Sequence, residues 1–202
     1  MSKNVRATAI VIISLLLILP TIKGTIGVAT LRNNISQNWY NACVWLRENT
    51  PEPYPENAYY ALSTSNSEAS YNILSWWDYG HWIIRIAHRA TIVSPTHQGS
   101  VVTYQGRDYD IFFFWTAQSE AEANSTIEGF NVRYIIVDKN MTEGKFYALV
   151  VEAQRNPSEI NKLRPNSMIM RLWEGKTETW ELIHQEGDVK IFERKGQNNV
   201  KS

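Results

Sequence analysis

Five consecutive residues, Trp76, Trp77, Asp78, Tyr79 and Gly80, place two indole donors, a carboxylate and a phenol within one short stretch of chain. An indole N–H donates only, an ionised carboxylate accepts only, and an aliphatic hydroxyl does both. Two indoles and one carboxylate can therefore saturate a single small hydroxyl such as that of Ser or Thr. A hydrogen bond to a charged group is worth roughly 1.5–3 kcal/mol, so a peptide without the hydroxyl would be rejected. Gly80 is expected to ease a turn that a Cβ would obstruct, letting adjacent side chains converge. A blander assignment makes Trp76 and Trp77 core rings, with Asp78 capping the helix that follows and Gly80 a spacer.

Two other chemistries are open to the same stretch. Asp78, His81 and His88, spaced by three and then seven residues, fall on roughly one helical face and suit a small metal-dependent hydrolase. His97 offers a further ligand and His184 is remote in sequence, whereas the intervening WIIRIA is mostly core-facing and a catalytic zinc needs an additional ligand and an activated water. Exposed Trp faces also stack on sugar rings, which is the footing for a carbohydrate-binding module.

The elements that must hold these side chains are legible in outline. Residues 36–49 place Trp39, Cys43 and Leu46 at helical spacing behind a Ser36 cap and stop before Pro51. The proline-rich PEPYPEN is a stiff loop, and AYYALSTS suits a short buried strand. Residues 71–89 are expected to turn at Asp78-Tyr79-Gly80, continue as a helix and give way to a strand over ATIVSP. Downstream, DIFFFWTAQSEAEANSTIEGF reads as one or two helices, VRYIIVD as a fully buried strand and TEGKFYALVVEAQRN as a helix. TWELIHQEGDVKIFERK alternates about Glu186-Gly187-Asp188 as a hairpin does. The fold class is α/β, a small mixed sheet with packed helices.

Residues 7–22 are apolar and uncharged, preceded by Lys3 and Arg6. A span needs roughly 20 apolar residues, and this run reaches that by continuing past Lys23. A transmembrane segment or signal-like anchor is therefore expected over residues 1–30, with a globular domain over 31–202. The basic amino end holds to the cytoplasmic side, which makes this a single-pass protein of the cell membrane with its domain on the extracytoplasmic side.

Composition closes off other classes. Lys+Arg 20 against Asp+Glu 20 leaves no net charge and no footprint for a phosphate backbone, so no nucleic-acid partner is expected. Cys43 is the sole cysteine, which rules out an intrachain disulfide and an all-cysteine zinc site. Eight Trp and 10 Tyr exceed what a core of this size requires, so some rings are expected at a surface site. Three Asn-x-Ser/Thr triplets, at Asn34, Asn124 and Asn140, are treated as chance occurrences.

The run SWWDYG before an apolar helix resembles the signature of the catalytic subunit of oligosaccharyltransferase, which moves a glycan from a lipid carrier to Asn in Asn-x-Ser/Thr. A second element, DKNMTEGKFYAL, resembles the archaeal pattern of Asp, spacer, Gly-Lys-Phe and an apolar residue four places after the Lys, here Asp138, Gly144, Lys145, Phe146 and Leu149. Leu149 stands where the family carries Ile or Met. The resemblance covers roughly residues 30–195 and the carboxyl-terminal globular portion of that enzyme, in its shortest archaeal version. It implies that Trp76, Trp77, Asp78, Tyr79 and Gly80 bind the acceptor peptide and that Leu149 touches the methyl of an acceptor Thr. Asp138 and Lys145 would order the loop and helix completing the pocket. It further implies a multi-span membrane part that holds a divalent metal, Mg or Mn, and the lipid-linked oligosaccharide. None of these catalytic jobs can be given to a residue here, so no cofactor is expected in this domain and the chain alone is expected to transfer no glycan.

Overall fold

The computed structural model describes residues 35–54, 69–93, 101–104 and 107–196, together with residues 14, 16, 17 and 22. The expected strand over AYYALSTS, His97, Asn34 and nearly all of the apolar run 7–22 lie outside the described residues. Among the described residues no helix is long and apolar enough to cross a membrane. The chain divides into two compact units, Met1–Ile35 and Ser36–Ser202, and the elements below belong to the second.

Helix α1 spans Gln37–Asn49, and the Ser36 side chain accepts from the Trp39 amide to cap it as the sequence suggests. Its buried residues Trp39, Ala42, Cys43 and Leu46 recur every three or four positions and form one apolar stripe. Strand β1, Asn72–Leu74, is short and wholly buried. The chain then passes through a 3₁₀ turn over Trp77–Tyr79, helix α2 over Gly80–Trp82 and a π-helical turn over Ile83–Ala87. Strands β2, Val101–Tyr104, and β3, Arg107–Asp110, pair as a separate antiparallel hairpin. Helices α3, Phe113–Thr116, and α4, Glu120–Thr126, supply the two pieces expected of that region.

Strand β4, Val132–Asp138, is the buried VRYIIVD run. Short helices α5, Lys139–Thr142, and α6, Phe146–Glu152, follow it, then α7, Ile160–Leu163, and α8, Met168–Trp173. Strands β5, Trp180–Glu186, and β6, Val189–Arg194, close the described chain as an antiparallel hairpin. Gly187 in its tight turn has φ +56° and carries the Asn38 side chain close above it, so a Cβ has neither the dihedral nor the space there.

The sheet order is β1-β4-β6-β5, parallel between β1 and β4 and antiparallel elsewhere. The mixed α/β class is therefore as expected. ATIVSP, expected as a strand, contributes within its described part only a single bridge, Thr91 to Ile73. With three residues, β1 offers too short an edge for a longer ladder. The placement of β1 itself was not anticipated, because its apolar run is as compatible with helix as with strand.

Candidate functional site

Two neighbouring parallel strands end side by side and release the two motifs. β1 runs into Ser75, whose buried hydroxyl donates to the Ile136 carbonyl on β4 at 2.8 Å and ties the strand ends together. Beyond Ser75 lies the tryptophan pair and the 3₁₀ turn; beyond β4 lie α5, the Gly144 loop and Lys145 at the head of α6. Crevices at the carboxyl ends of parallel strands are where open α/β sheets bind ligands, because the chain there is free to present side chains.

Asp78 is the centre of the exposed part. Its Oδ2 accepts from Trp76 Nε1 at 2.8 Å and from the Lys145 ammonium, while the side chain keeps 39% of its surface exposed and Lys145 21%. Oδ1 takes no hydrogen bond among the described residues. The Lys145 ammonium also lies over the rings of Tyr79, 4.7 Å from the centroid, and Trp76, at 5.5 Å. A carboxylate with one oxygen fixed by a cation and an indole is held in a single attitude, and its second oxygen is left to accept.

Asp138 is the centre of the buried part. Its Oδ1 caps α5 by accepting from the Met141 amide at 2.9 Å; its Oδ2 accepts from Trp39 Nε1 at 2.9 Å and from the Tyr79 hydroxyl at 2.6 Å. Burial, reinforced by the negative charge of Asp138, pushes the Tyr79 phenol well above its ordinary value, so it stays protonated and donating. Arg89, buried just past the π turn, binds the end of α1 through the Thr50 carbonyl at 2.7 Å, the Arg47 carbonyl at 2.9 Å and Thr50 Oγ1 at 2.8 Å.

This geometry departs from the sequence expectation in three respects. Trp76 is only 3% exposed and spends its N–H on Asp78, so the three side chains at 76–78 do not form an open ring around one hydroxyl. Trp77 is half-buried with its ring 5.6 Å from that of Trp76. Gly80 has φ −55° and ψ −40°, dihedrals any residue adopts, because the bend is made by the right-handed 3₁₀ turn before it. Leu149 is 0% exposed, packed in the interior face of α6 with Phe146 and Val150. Gly144 lies on the exposed loop where an added Cβ would come 2.5 Å from Asn140 Oδ1.

The rival chemistries find little footing. Among the described residues no three His, Cys, Asp or Glu side chains converge to hold a metal, and His81 points outward while His88 sits in the left-handed region at φ 56°. The burial of Trp76 removes it as a sugar-stacking face. Sequence reasoning placed Trp39 on a core stripe and missed its hydrogen bond to Asp138, 99 residues away; no local pattern signals such a contact. It also missed Arg89, for which the only hint was a charge between apolar segments.

A half-exposed Asp on a Trp-Trp turn beside a lysine loop, both released at the ends of two parallel strands of a small mixed sheet, sets the chain among α/β domains with a polar site at one end of the sheet. The family model for the AglB core domain matches residues 36–142, more than half of the chain, and the chain belongs to that family. It is similar to dolichyl-phosphooligosaccharide-protein glycotransferase 3 of Archaeoglobus fulgidus, 35% identical over 159 residues, which cover 74% of this chain and 18% of that protein. The crystal structure of the C-terminal globular domain of an oligosaccharyltransferase from Archaeoglobus fulgidus superposes with a TM-score of 0.64 at 28% identity, covering 80% of this chain and 99% of that one. The archaeal oligosaccharyltransferase AglB of the same organism, in complex with an inhibitory peptide and a dolichol-phosphate, superposes with a TM-score of 0.73 at 25% identity, covering 92% of this chain and 27% of that one. The chain thus spans 18% of the length of the first relative.

Proposed function

We propose that the domain after residue 35 presents the acceptor-recognition surface of an oligosaccharyltransferase and holds the Ser or Thr hydroxyl of an Asn-x-Ser/Thr peptide on Asp78 Oδ1. The observation that carries this reading is the division of labour within one carboxylate: Oδ2 is occupied by Trp76 and Lys145, and Oδ1 remains as an acceptor on a half-exposed side chain. The hydroxyl would donate to a fixed anion, a bond roughly twice as strong as a neutral one. A Val in place of Thr leaves that charge without its donor, which accounts for rejection of the isostere.

Trp77, half-buried at the start of the 3₁₀ turn with its ring 5.6 Å from that of Trp76, flanks Asp78 and in this reading lines the acceptor's approach to the carboxylate. Leu149 keeps its place as a contact for a Thr methyl only if α6 moves outward on binding, because its side chain has no exposed surface. A buried methyl is worth about 0.8 kcal/mol, so a several-fold preference for Thr over Ser would uphold that contact and equal binding would remove it. Tyr79, Gly80, Asp138 and Gly144 shape the turn and the loop without touching the hydroxyl.

The glycan, its dolichol-type carrier and the divalent metal belong in this reading to a multi-span membrane part, joined through a membrane segment preceding α1. The chain alone binds acceptor peptide weakly and transfers no glycan. Co-expressing or fusing it with a matching membrane part and assaying transfer to Asn-x-Thr and Asn-x-Val peptides tests the proposal. Transfer to the Thr peptide alone, abolished by Asp78→Ala, is the expected result; unchanged transfer by Asp78→Ala removes Asp78 from the site.

A further inference from the structure

We propose that Trp39 is a positioning residue for acceptor recognition: from the first helix it sets, through Asp138 and Tyr79, the attitude of the turn that carries Asp78. The inference rests on the reading of Asp78 given above and adds a residue from an element that neither motif includes.

The turn needs such support. A 3₁₀ segment of three residues, Trp77–Tyr79, has no side-chain cap at its start and too few hydrogen bonds to fix itself. Trp39 supplies two constraints. Its Nε1 donates to Asp138 Oδ2 at 2.9 Å, the same oxygen that accepts from the Tyr79 hydroxyl at 2.6 Å. Its ring lies against Tyr79 at 4.2 Å between centroids and against Trp82 at 5.6 Å. Tyr79 in turn lies beneath the Lys145 ammonium, which pairs with Asp78. The series Trp39, Asp138, Tyr79, Lys145, Asp78 is thus continuous, each member in contact with the next.

Helix α1 is itself held on the far side of the turn, where Arg89 binds the carbonyls of Arg47 and Thr50. The segment between Trp76 and Arg89 is therefore pinned to one helix near both of its ends. Losing the Trp39 N–H while keeping an aromatic ring frees the Tyr79 end only. Asp138 then still caps α5 and still accepts from Tyr79, so the domain stays folded while the Asp78 attitude broadens.

The test titrates the full chain in detergent micelles with a fluorescent Asn-x-Thr peptide and its Asn-x-Val counterpart. The same samples give the indole proton–nitrogen NMR peak of Trp76, which reports its bond to Asp78. Trp39→Phe is expected to raise the Kd for the Thr peptide by about fivefold and to leave the Val peptide within about twofold. The Trp76 peak moves, and Tyr79→Phe has a similar effect that the double substitution does not increase, as for members of one network. Equal weakening toward both peptides, additive single effects or an unmoved Trp76 peak overturns the inference. If the native chain does not distinguish Thr from Val, the acceptor reading falls, and the Trp76 peak alone decides the positioning role: displaced in Trp39→Phe it stands, unmoved it is overturned.

Discussion

Replacing Lys145 by Met removes the ammonium and keeps most of the side-chain stem. The pair with Asp78 is partly exposed, at 21% and 39%, so after solvent screening it contributes about 0.5–1 kcal/mol. The ammonium 4.7 Å from the Tyr79 centroid adds about 0.5–1 kcal/mol. Together these are about 1–2 kcal/mol, and a domain of this size loses about 2–4 °C in Tm per kcal/mol, giving a fall of about 2–8 °C. Calorimetric melts in about 0.05 M and about 1 M NaCl separate the components, since only the exposed ion pair is strongly screened. The gap between native chain and Lys145→Met should narrow in the higher salt without closing. Acceptor-peptide affinity should fall with it, because the Asp78 carboxylate loses the cation that fixes Oδ2. Identical melts at low salt, or a gap that widens with salt, would show that the ammonium does not hold the turn.

Two further substitutions probe the groups on either side. Asp138→Ala strands a buried indole N–H and a buried phenol and removes a helix cap; it should cost about 3–5 kcal/mol in urea unfolding, and a loss below about 1 kcal/mol would deny Asp138 its central place. His184, stacked on Trp45 at 4.3 Å, has its pKa lowered from the ordinary value by burial, against the opposing pull of Glu186. The folded state then resists protonation more than the unfolded state does, so stability present above about pH 6.5 is lost as pH falls through the lowered folded value. His184→Gln should reduce the stability loss between neutral and mildly acid pH, and an unaltered pH profile would contradict the shift.

What the sequence disclosed depended on the range of each interaction. The buried run of β4, the amphipathic stripe of α1 with its Ser36 cap and the β5–β6 hairpin are local patterns, and they emerged where expected. The two motifs were equally visible as strings of residues. Their arrangement was not: the inventory at residues 76–78 suggested three groups facing one ligand, whereas Trp76 turns its N–H onto Asp78 and Lys145 arrives from 67 residues downstream to share the same oxygen. Leu149 illustrates the same limit, since helical spacing alone does not say which face a neighbouring element covers, and here that face is the interior. Trp39 and Arg89 act across the sheet and helix packing, where only the fold brings them to their partners.

The assignment of the hydroxyl to one oxygen of Asp78 is the central claim, and a crystal structure of the full chain soaked with an Asn-x-Thr peptide tests it most directly. The Thr Oγ is expected within hydrogen-bonding distance, roughly 2.5–3.0 Å, of Asp78 Oδ1, with Trp76 and Lys145 still on Oδ2. A peptide bound with its Thr away from Asp78, or one that displaces Lys145 to reach Oδ2, would contradict it.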